Sequence, residues 1–347
     1  MIDLDGSMGE GGGQVLRSAL TLSILSRKPF SIRHIRASRQ KPGLMAQHLK
    51  AVDAAAAISR ASVTGAHLGS TSLEFSPGDI RSGRYQFDIG TAGAASLVLQ
   101  TIAIPLSFAG SASSVIITGG THVLWSPCYH YLDLQWRFWM SQLGYDIDLT
   151  LDQAGFYPQG GGRISCVIRP ARQLQPLQLA QRGDFVRLSG ISAVVELERS
   201  IADRQKRQAF GRLSKRFPSF LLKTAVLTGR SKGTFVLILA EYTAGRGCFC
   251  SLGERGKPAE RVADECVDAL EAFMSTEAAI DRYLADQLLI PLALAASPSQ
   301  ITTAQVTQHL LTNAEVIRCF LPVQIDVHGE PGACGLVNIT PLTSFAY

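Results

Sequence analysis

The sequence predicts an α/β fold (α+β in its mixture of strand directions) with a large domain of three repeated βαβαββ units. Two observations predict the repeat. A strand pattern, a glycine-containing turn and a helical pattern follow one another twice, with GEGGG at residues 9–13 and GTAG at 90–93. Each time a second helix and two further strands follow. The period of about 80 residues is typical of repeated subdomains rather than a solenoid.

The first two units can be assigned element by element. In the first, apolar residues recur with helical spacing after the glycine turn, and Pro42-Gly43 opens the second helix. Its predicted elements are strand 2–4, helix 14–25, strand 30–36, helix 44–59 and strands 62–66 and 72–75. The predicted elements of the second unit are strand 85–89, helix 94–108, strand 114–118, helix 127–143 and strands 146–151 and 162–168.

A third unit is predicted near the end of the chain, without its first strand. Its predicted elements are helix 278–295, strand 300–303, helix 307–320 and strands 323–327 and 334–339. Residues 182–277 interrupt the rhythm with a strand, a basic helix, two or three strands (224–227 and 234–240 among them) and a helix over 259–273. Because insertions succeed at surface loops, we expect a large domain of residues 1–181 and 278–347 and an inserted α/β domain of residues 182–277.

Composition is that of an ordinary globular protein. The 347 residues are 46% apolar and 18% charged. The longest apolar stretches contain polar residues and are shorter than the ~20 residues that a membrane-spanning helix needs. The first ten residues lack the basic and apolar regions of an export signal. Seven scattered cysteines without a CxxC pair predict free thiols. We therefore expect a cytoplasmic protein that does not span a membrane.

Glu10 stands among the glycines that precede the first helix. GEGGG is neither a P-loop nor a dinucleotide-binding turn. Two interpretations of Glu10 stay open. It could interact with the helix dipole, worth about 0.3–1 kcal/mol, or hold a metal beside a phosphate site. Arg17 follows inside an apolar helix, where it needs a partner such as Glu10 or a bound phosphate.

A basic loop lies between the second strand and the second helix. Arg36 and Arg39 are accompanied by Lys41, and guanidinium groups bind phosphate oxygens in a bidentate manner. A solvated loop is the alternative interpretation. The formal net charge of +5 is compatible with a polyanionic partner but does not require one.

His309 opens a late helix and has no histidine or cysteine at metal-binding spacing. It is either structural or a nucleophile, and the helix N-terminus is predicted to lower its pKa and favour the neutral imidazole. Tyr283, Asp286 and Gln287 share one helical face. That face is either half-exposed helix surface or a platform for a base.

Together these segments resemble the RNA 3′-terminal phosphate cyclase family. The matching segments, in chain order, are DGSMGEGGGQVLRSAL, IRASRQKPGLMAQHL, IGTAGAASLVLQ, GGT at 119–121, GFYPQGGG at 155–162, SLGERG at 251–256, YLADQLLIPLALA and HLLTN. The resemblance implies three units similar to the C-terminal domain of translation initiation factor 3, with a smaller α/β domain inserted. The enolpyruvyl transferases are distant relatives of that architecture.

The resemblance also implies a reaction. ATP and a divalent cation, Mg²⁺ or Mn²⁺, would support conversion of an RNA 3′-phosphate end into a 2′,3′-cyclic phosphate, through AMP carried on His309. The site residues that the resemblance implies are Glu10 for the metal; Arg17, Arg36, Arg39 and Gln47 for phosphates; Asp286 and Gln287 for orientation; Pro127, Tyr131 and Tyr283 around the adenine; and Gln100 as a further member of the pocket.

The sequence departs from the family pattern after Gly119-Gly120-Thr121. His122 stands where the family usually has Asn or Asp, and His130 where it has Asp, which predicts a less acidic pocket. The family also includes ribosome-assembly proteins that lack the nucleophilic histidine, and His309 argues against that branch. Two alternatives stay open: a non-catalytic, cyclase-like RNA-binding or ribosome-assembly protein, and a transferase that adenylylates other phosphate ends. A homodimer also stays open.

Overall fold

A computed structural model describes residues 1–343 of the chain. The first four-stranded sheet has the order β1-β2-β4-β3, with β1 and β2 parallel and the other pairs antiparallel. Its strands and helices are β1 (Ile2–Asp5), α1 (Gln14–Ser26), β2 (Phe30–Arg33), α2 (Ala46–Ser59), β3 (Ser62–Thr64) and β4 (Leu73–Ser76).

The second sheet has the order β5-β6-β8-β7 and the same directions, with only β5 and β6 parallel. Its elements are β5 (Arg84–Asp88), α3 (Ala95–Leu106), β6 (Ser113–Gly119), α4 (Tyr129–Tyr131), a π-helical turn (Leu132–Trp136), α5 (Arg137–Gln142), β7 (Asp146–Gln153) and β8 (Gly162–Arg169). The helix predicted over 127–143 is therefore continuous but widens at its middle.

A short strand, β9 (Gln178–Leu179), precedes a third sheet that has its own helices. That sheet has the order β11-β10-β12-β13, with β10 and β11 parallel. Its elements are β10 (Phe185–Val195), α6 (Arg199–Leu213), β11 (Leu221–Val226), β12 (Gly233–Tyr242), β13 (Arg246–Leu252) and α7 (Ala259–Met274). Helices α6 and α7 pack against each other and on this sheet.

The remaining sheet combines β9 with three strands from the end of the chain, in the order β15-β16-β14-β9. Its elements after β9 are α8 (Ala285–Ala293), β14 (Ser299–Thr303), α9 (Gln308–Phe320), β15 (Val323–His328) and β16 (Gly335–Pro341). β9 is parallel to β14, whereas β14 and β16, and β16 and β15, are antiparallel. The expectation that this unit lacks a first strand is wrong: a two-residue strand is too short to show a pattern in the sequence.

The predicted helix over 278–295 is also wrong at its start, since α8 begins at Ala285. Ile280 instead forms backbone bridges with Arg246 and Thr303. The buried Asp281 carboxylate accepts the N–H groups of Tyr283 and Leu284 at 2.9 and 3.1 Å. A side chain that takes up backbone donors in this way stabilises a turn in place of a first helical turn.

One large apolar core joins the sheet of β1–β4, the sheet of β5–β8 and the sheet of β9 and β14–β16. Helix α1 lies at its centre and contacts α2, α3 and α9. A second core lies between the β10–β13 sheet and its helices. A third joins Tyr131 and Phe156 to Phe235 of β12. Within residues 1–343 no helix has the length and apolar character that crossing a membrane requires.

Candidate active site

The glycine turn between β1 and α1 brings several segments together. Gly11 has a φ of +56°, which favours glycine. A Cβ at Gly13 would lie 2.3 Å from Nε2 of His48 and 2.9 Å from Nη1 of Arg17. No larger residue fits there. The turn therefore packs directly on α2 and places Glu10 beside the first turn of α9.

His309 lies in the first turn of α9. Thr307 caps the helix by accepting the Leu310 N–H at 3.1 Å. The Nδ1 atom of His309 lies 2.9 Å from Oε1 of Glu10 and hydrogen-bonds to Oε1 of Gln14. When Nδ1 carries the proton for this bond, Nε2 keeps a free lone pair.

Gln14 connects His309 to a second carboxylate. Its Nε2 donates to Oδ2 of Asp286 at 2.9 Å. Burial raises the pKa of Asp286 to about 6, although the charge of His309, the Gln14 hydrogen bond and Arg17 lower it. Asn313 holds the Asp286 backbone, donating to its carbonyl at 2.7 Å. The His309 imidazole thus contacts the Glu10 carboxylate directly and is connected to the Asp286 carboxylate through the Gln14 side chain.

The expectation of a lowered His309 pKa is wrong. Interaction with the Glu10 carboxylate is the largest influence and raises this pKa, Asp286 raises it further, and burial opposes both. The two nearby carboxylates favour the charged imidazolium more than burial and the charge of Arg17 disfavour it.

Three arginines surround the glycine turn. Arg17 is half-buried; loss of hydration lowers its pKa to about 10, and the charges of Glu10 and Asp286 raise it. Arg39 places Nη2 at 3.9 Å from Oε2 of Glu10. Arg36 donates Nη1 to the carbonyls of residues 41 and 43 at 2.7 and 2.8 Å, fixing the basic loop. The cluster has more positive than negative charge and suits phosphate oxygens.

His48 lies within this cluster and is neutral. Burial lowers its pKa to about 3, and the charges of Arg17, Arg36 and Arg39 lower it further. A neutral imidazole adds no fourth positive charge to the three guanidinium groups.

The three glutamines that the family resemblance places in the site, Gln47, Gln100 and Gln287, have different partners. Oε1 of Gln47 accepts the Ala94 N–H at 2.8 Å, at the start of α3. Gln100 donates Nε2 to Oε1 of Gln287 at 2.7 Å, and Gln287 hydrogen-bonds to the Tyr283 carbonyl. Gln100 is therefore linked to the helix face that carries Asp286.

The predicted adenine-binding residues differ in exposure. Tyr283 is 45% exposed, and the guanidinium of Arg282 lies 4.6 Å from its ring centre. Pro127 is half-buried. Tyr131 is buried and donates its hydroxyl to Oδ1 of Asp281 at 2.9 Å. Of the two tyrosines, only Tyr283 has an accessible ring. Tyr131 is connected to the Tyr283 backbone through Asp281, whose carboxylate also accepts the Tyr283 N–H.

Comparison with known proteins decides the family. A family model described as RNA 3′-terminal phosphate cyclase matches residues 8–327. The chain belongs to this family. A relative from Gloeothece citriformis, named RNA 3′-terminal phosphate cyclase, is 42% identical over 337 residues, covering 95% of this chain and 96% of the relative. Relatives of the same name from Ralstonia nicotianae and Archaeoglobus fulgidus are 43% and 40% identical over 334 and 330 residues. They cover 96% and 95% of this chain and 95% and 98% of their own lengths.

A solved enolpyruvyl transferase, NikO from Streptomyces tendae, aligns with 96% of this chain and 47% of its own length at 10% identity. Its TM-score of 0.36 is too low to support a conclusion. The family resemblance stated from the sequence is confirmed by the family match and the relatives.

His122 and His130 form a hydrogen-bonded pair, of which His122 is buried and His130 partly buried. Nε2 of His122 lies 2.9 Å from Nδ1 of His130, and Nδ1 of His122 lies 2.8 Å from Oγ1 of Thr121. The His122 ring stacks on Phe156, and both histidine rings lie against Phe235. Burial lowers the pKa of His130 to about 4 and that of His122 well below its ordinary value. Both are therefore neutral at pH 7.

Glu10 fits a divalent cation of the Mg²⁺ or Mn²⁺ type. Its Oε1 atom is buried without a well-aligned hydrogen-bond donor among residues 1–343. In the same part of the chain, no three His, Cys, Asp or Glu side chains are grouped as a metal site. Mg²⁺ commonly uses one or two carboxylates together with phosphate oxygens and water, so one carboxylate beside a cluster of guanidinium groups is compatible with such a site.

Gln14 and Asp281 are site residues that the sequence did not reveal. Asp281 accepts the Tyr131 hydroxyl, Nε2 of Gln135 at 2.8 Å and the Cys248 N–H at 3.2 Å, besides the two N–H groups before α8. Asp281 stands two residues before Tyr283, which is the spacing of an Asx turn. No comparable pattern in the sequence marks Gln14.

If His309 is the residue that ATP labels, we expect Gln14→Ala to slow that labelling by about 10–100-fold, by analogy with the loss of hydrogen-bond partners of metal-ligating histidines. The variant frees His309 and Asp286 from their common partner. The rate of protein labelling by α-labelled ATP measures this. Gln208→Ala, on α6 and outside the site, is the control. A Gln14→Ala rate equal to the parent rate would contradict the orienting role.

Proposed function

We propose that the chain converts an RNA 3′-terminal phosphate into a 2′,3′-cyclic phosphate at the expense of ATP, with AMP carried on His309. The observation that carries the proposal is the fixed imidazole. Nδ1 is held by Gln14 and Glu10, and a cluster of guanidinium groups lies alongside. Nδ1 faces these partners, so Nε2 is the nitrogen available to attack once the imidazolium has released its Nε2 proton to solvent.

The proposed reaction has three balanced steps. Nε2 of His309 forms a bond to the α-phosphorus of ATP as the bond to the β-phosphate oxygen breaks and pyrophosphate leaves. An oxygen of the RNA 3′-phosphate then takes the AMP group, which releases the imidazole. The neighbouring 2′-hydroxyl loses its proton and attacks the terminal phosphorus, closing the ring and expelling AMP.

The residues of the site divide this work. Arg17, Arg36 and Arg39, with Gln47, would bind phosphate oxygens, since guanidinium forks match their geometry. Asp286 would orient the site through Gln14, with Gln287 and Gln100 beside it. Tyr283 would stack on the adenine, with Pro127 and Tyr131 behind it. Glu10 would hold Mg²⁺ or Mn²⁺, which supplies positive charge for the triphosphate.

We also propose the domain organisation given by the resemblance. Three sheets share one order of strands, which supports three repeated units of the translation initiation factor 3 C-terminal type. Residues 182–277 have their own sheet and a core between that sheet and its helices, which supports an inserted domain between large-domain residues 1–181 and 278–347. The seven free cysteines support a cytoplasmic location.

The proposed activity is tested with α-labelled ATP and Mg²⁺ or Mn²⁺. We expect acid-labile labelled protein and, with 3′-phosphorylated RNA, a cyclic end. Absence of both products would overturn the proposal in favour of a non-catalytic RNA-binding protein. Labelled AMP transferred to 5′-phosphorylated DNA in preference to RNA 3′-phosphate would favour the broader transferase.

We expect Glu10→Gln to need at least about 10-fold more Mg²⁺ or Mn²⁺ for half-maximal labelling, since it removes the carboxylate that fits the metal. The measurement is labelling as a function of metal concentration. Glu74→Gln, an exposed residue on β4, is the matched control. An unchanged metal titration in Glu10→Gln would remove Glu10 from the metal site.

A further inference from the structure

Two aromatic side chains of neighbouring loops project into solvent. Trp125 is 95% exposed and Tyr157 is 78% exposed. Large aromatic side chains are ordinarily buried at least in part. Two such rings on loops that contact each other therefore mark a surface with a function beyond packing.

Backbone hydrogen bonds hold three loops side by side. The N–H groups of Thr121 and His122 donate to the Gly155 carbonyl at 2.9 and 3.0 Å. Phe156 N–H donates to Oγ of Ser231 at 2.7 Å, and residue 154 N–H to the carbonyl of residue 228 at 2.8 Å. The loops 120–128, 154–162 and 228–233 thus form one continuous surface, which we call the three-loop surface.

The charge of the three-loop surface is positive. Arg230 and Lys232 are both exposed on its third loop. None of the three loops contains an aspartate or glutamate. The surface therefore offers two aromatic rings and two cations to a ligand, with no carboxylate to repel an anion.

The three-loop surface adjoins the candidate active site. A Cβ at Gly160 would lie 2.8 Å from the Ala92 Cα, and a Cβ at Gly93 would lie 2.9 Å from the Gln47 Cβ. The turn at 90–94 is therefore packed between the second loop of the surface and Gln47.

We propose that the three-loop surface binds the single-stranded RNA segment that precedes the reacting 3′ end. Bases stack on Trp125 and Tyr157, and the backbone phosphates face Arg230 and Lys232. Proteins bind single-stranded nucleic acid by this combination of aromatic rings and cations, largely independently of sequence. This inference rests on the RNA substrate of the proposed function and adds the surface that binds it.

The charge pattern favours RNA over a protein partner. A protein interface of this kind would have contiguous apolar side chains at its centre. Leu124, beside Trp125, is 51% exposed, but the exposed charged side chains of the surface are the cations Arg230 and Lys232, and its loops have no carboxylate. A single-stranded polyanion satisfies both the rings and the cations.

The test uses short single-stranded RNA with a 3′-hydroxyl, which cannot react, so that binding is separated from catalysis. Trp136 and Trp139 are buried, so quenching by stacking reports Trp125. We expect RNA to quench the parent protein and not Trp125→Phe. Fluorescence anisotropy of end-labelled RNA is expected to give Kd values raised about 10-fold in Trp125→Ala and in Tyr157→Ala.

Arg230→Gln with Lys232→Gln is expected to weaken binding and to reduce its salt dependence by about two counterions. Leu68→Ala, an exposed apolar side chain on another loop, is the control, and thermal unfolding verifies that each variant is folded. Parent-like Kd values in both aromatic variants would overturn the proposal. So would a changed oligomeric state in Trp125→Ala with unchanged RNA binding, which would assign the surface to a protein partner.

Failure of this proposal is distinguishable from failure of the proposed function. RNA quenching without any labelling by ATP would leave the three-loop surface in place and remove the cyclase chemistry. Labelling and cyclisation by the parent, together with unchanged RNA binding by the aromatic variants, would support the cyclase chemistry and overturn the assignment of the three-loop surface.

Discussion

His309→Ala is expected to form no labelled adduct with α-labelled ATP and to lose cyclisation by more than about 10³-fold, the scale found when a covalent nucleophile is removed. Alanine removes the only atom proposed to carry AMP. It leaves Gln14 and Glu10 without their common partner but creates no clash, since the side chain is half-exposed at its site.

The matched control is His67→Ala, an exposed histidine on a loop of the first unit, which is expected to label like the parent. Labelling is measured on denaturing gels before and after acid treatment. An acid-labile adduct that persists in His309→Ala would place AMP on another residue and contradict the mechanism.

Lowering the pH from 7 to 5 is expected to destabilise the fold through His122, which is buried, and its partly buried partner His130. Their folded pKa values are depressed, to about 4 for His130. The unfolded imidazole takes up a proton near pH 6.5. The stability they contribute is thus complete above about pH 6.5 and is lost as the pH falls toward 4. At pH 5 the loss from His130 alone is about 2 kcal/mol, and His122 adds to it in the same direction.

Urea unfolding at pH 7 and pH 5 measures this effect, in the parent and in a variant with both His122→Asn and His130→Asn. Asp281 and Asp286, whose pKa burial raises to about 6, favour the folded state on acidification. The parent and the variants are therefore compared by the change in the free energy of unfolding between pH 7 and pH 5. His130→Asn alone is expected to remove part of the effect. Equal changes in the parent and both variants would contradict the assignment.

Periodicity and turn residues were sufficient to predict most of the secondary structure. The helical spacing after GEGGG predicted α1, and the basic pattern after residue 198 predicted α6. β9 is stable only because β14, more than a hundred residues later, pairs with it. The start of α8 depends on partners of Asp281 in distant strands and helices. Such tertiary partners leave no local pattern.

The candidate site was predictable where a residue is unusual for its place. Three residues are of this kind: a carboxylate among glycines, an arginine within an apolar helix and a histidine that opens a helix. The structure brings these residues, Glu10, Arg17 and His309, together. Gln14 is an ordinary first residue of a helix. The direction of the His309 pKa depended on which carboxylates the fold brings near, and the helix N-terminus alone predicted it wrongly.

The hydrogen bonds of Asp281 have a consequence for cooperativity. One buried carboxylate satisfies donors of the α4 region, of β13 and of the turn before α8. If any of these segments detached, the remaining groups would be left with a broken network, at a cost of about 1–3 kcal/mol for each buried group without a partner. Opening of the β10–β13 sheet and opening of the turn before the helix that carries Asp286 are therefore coupled through this carboxylate, and each carries that cost.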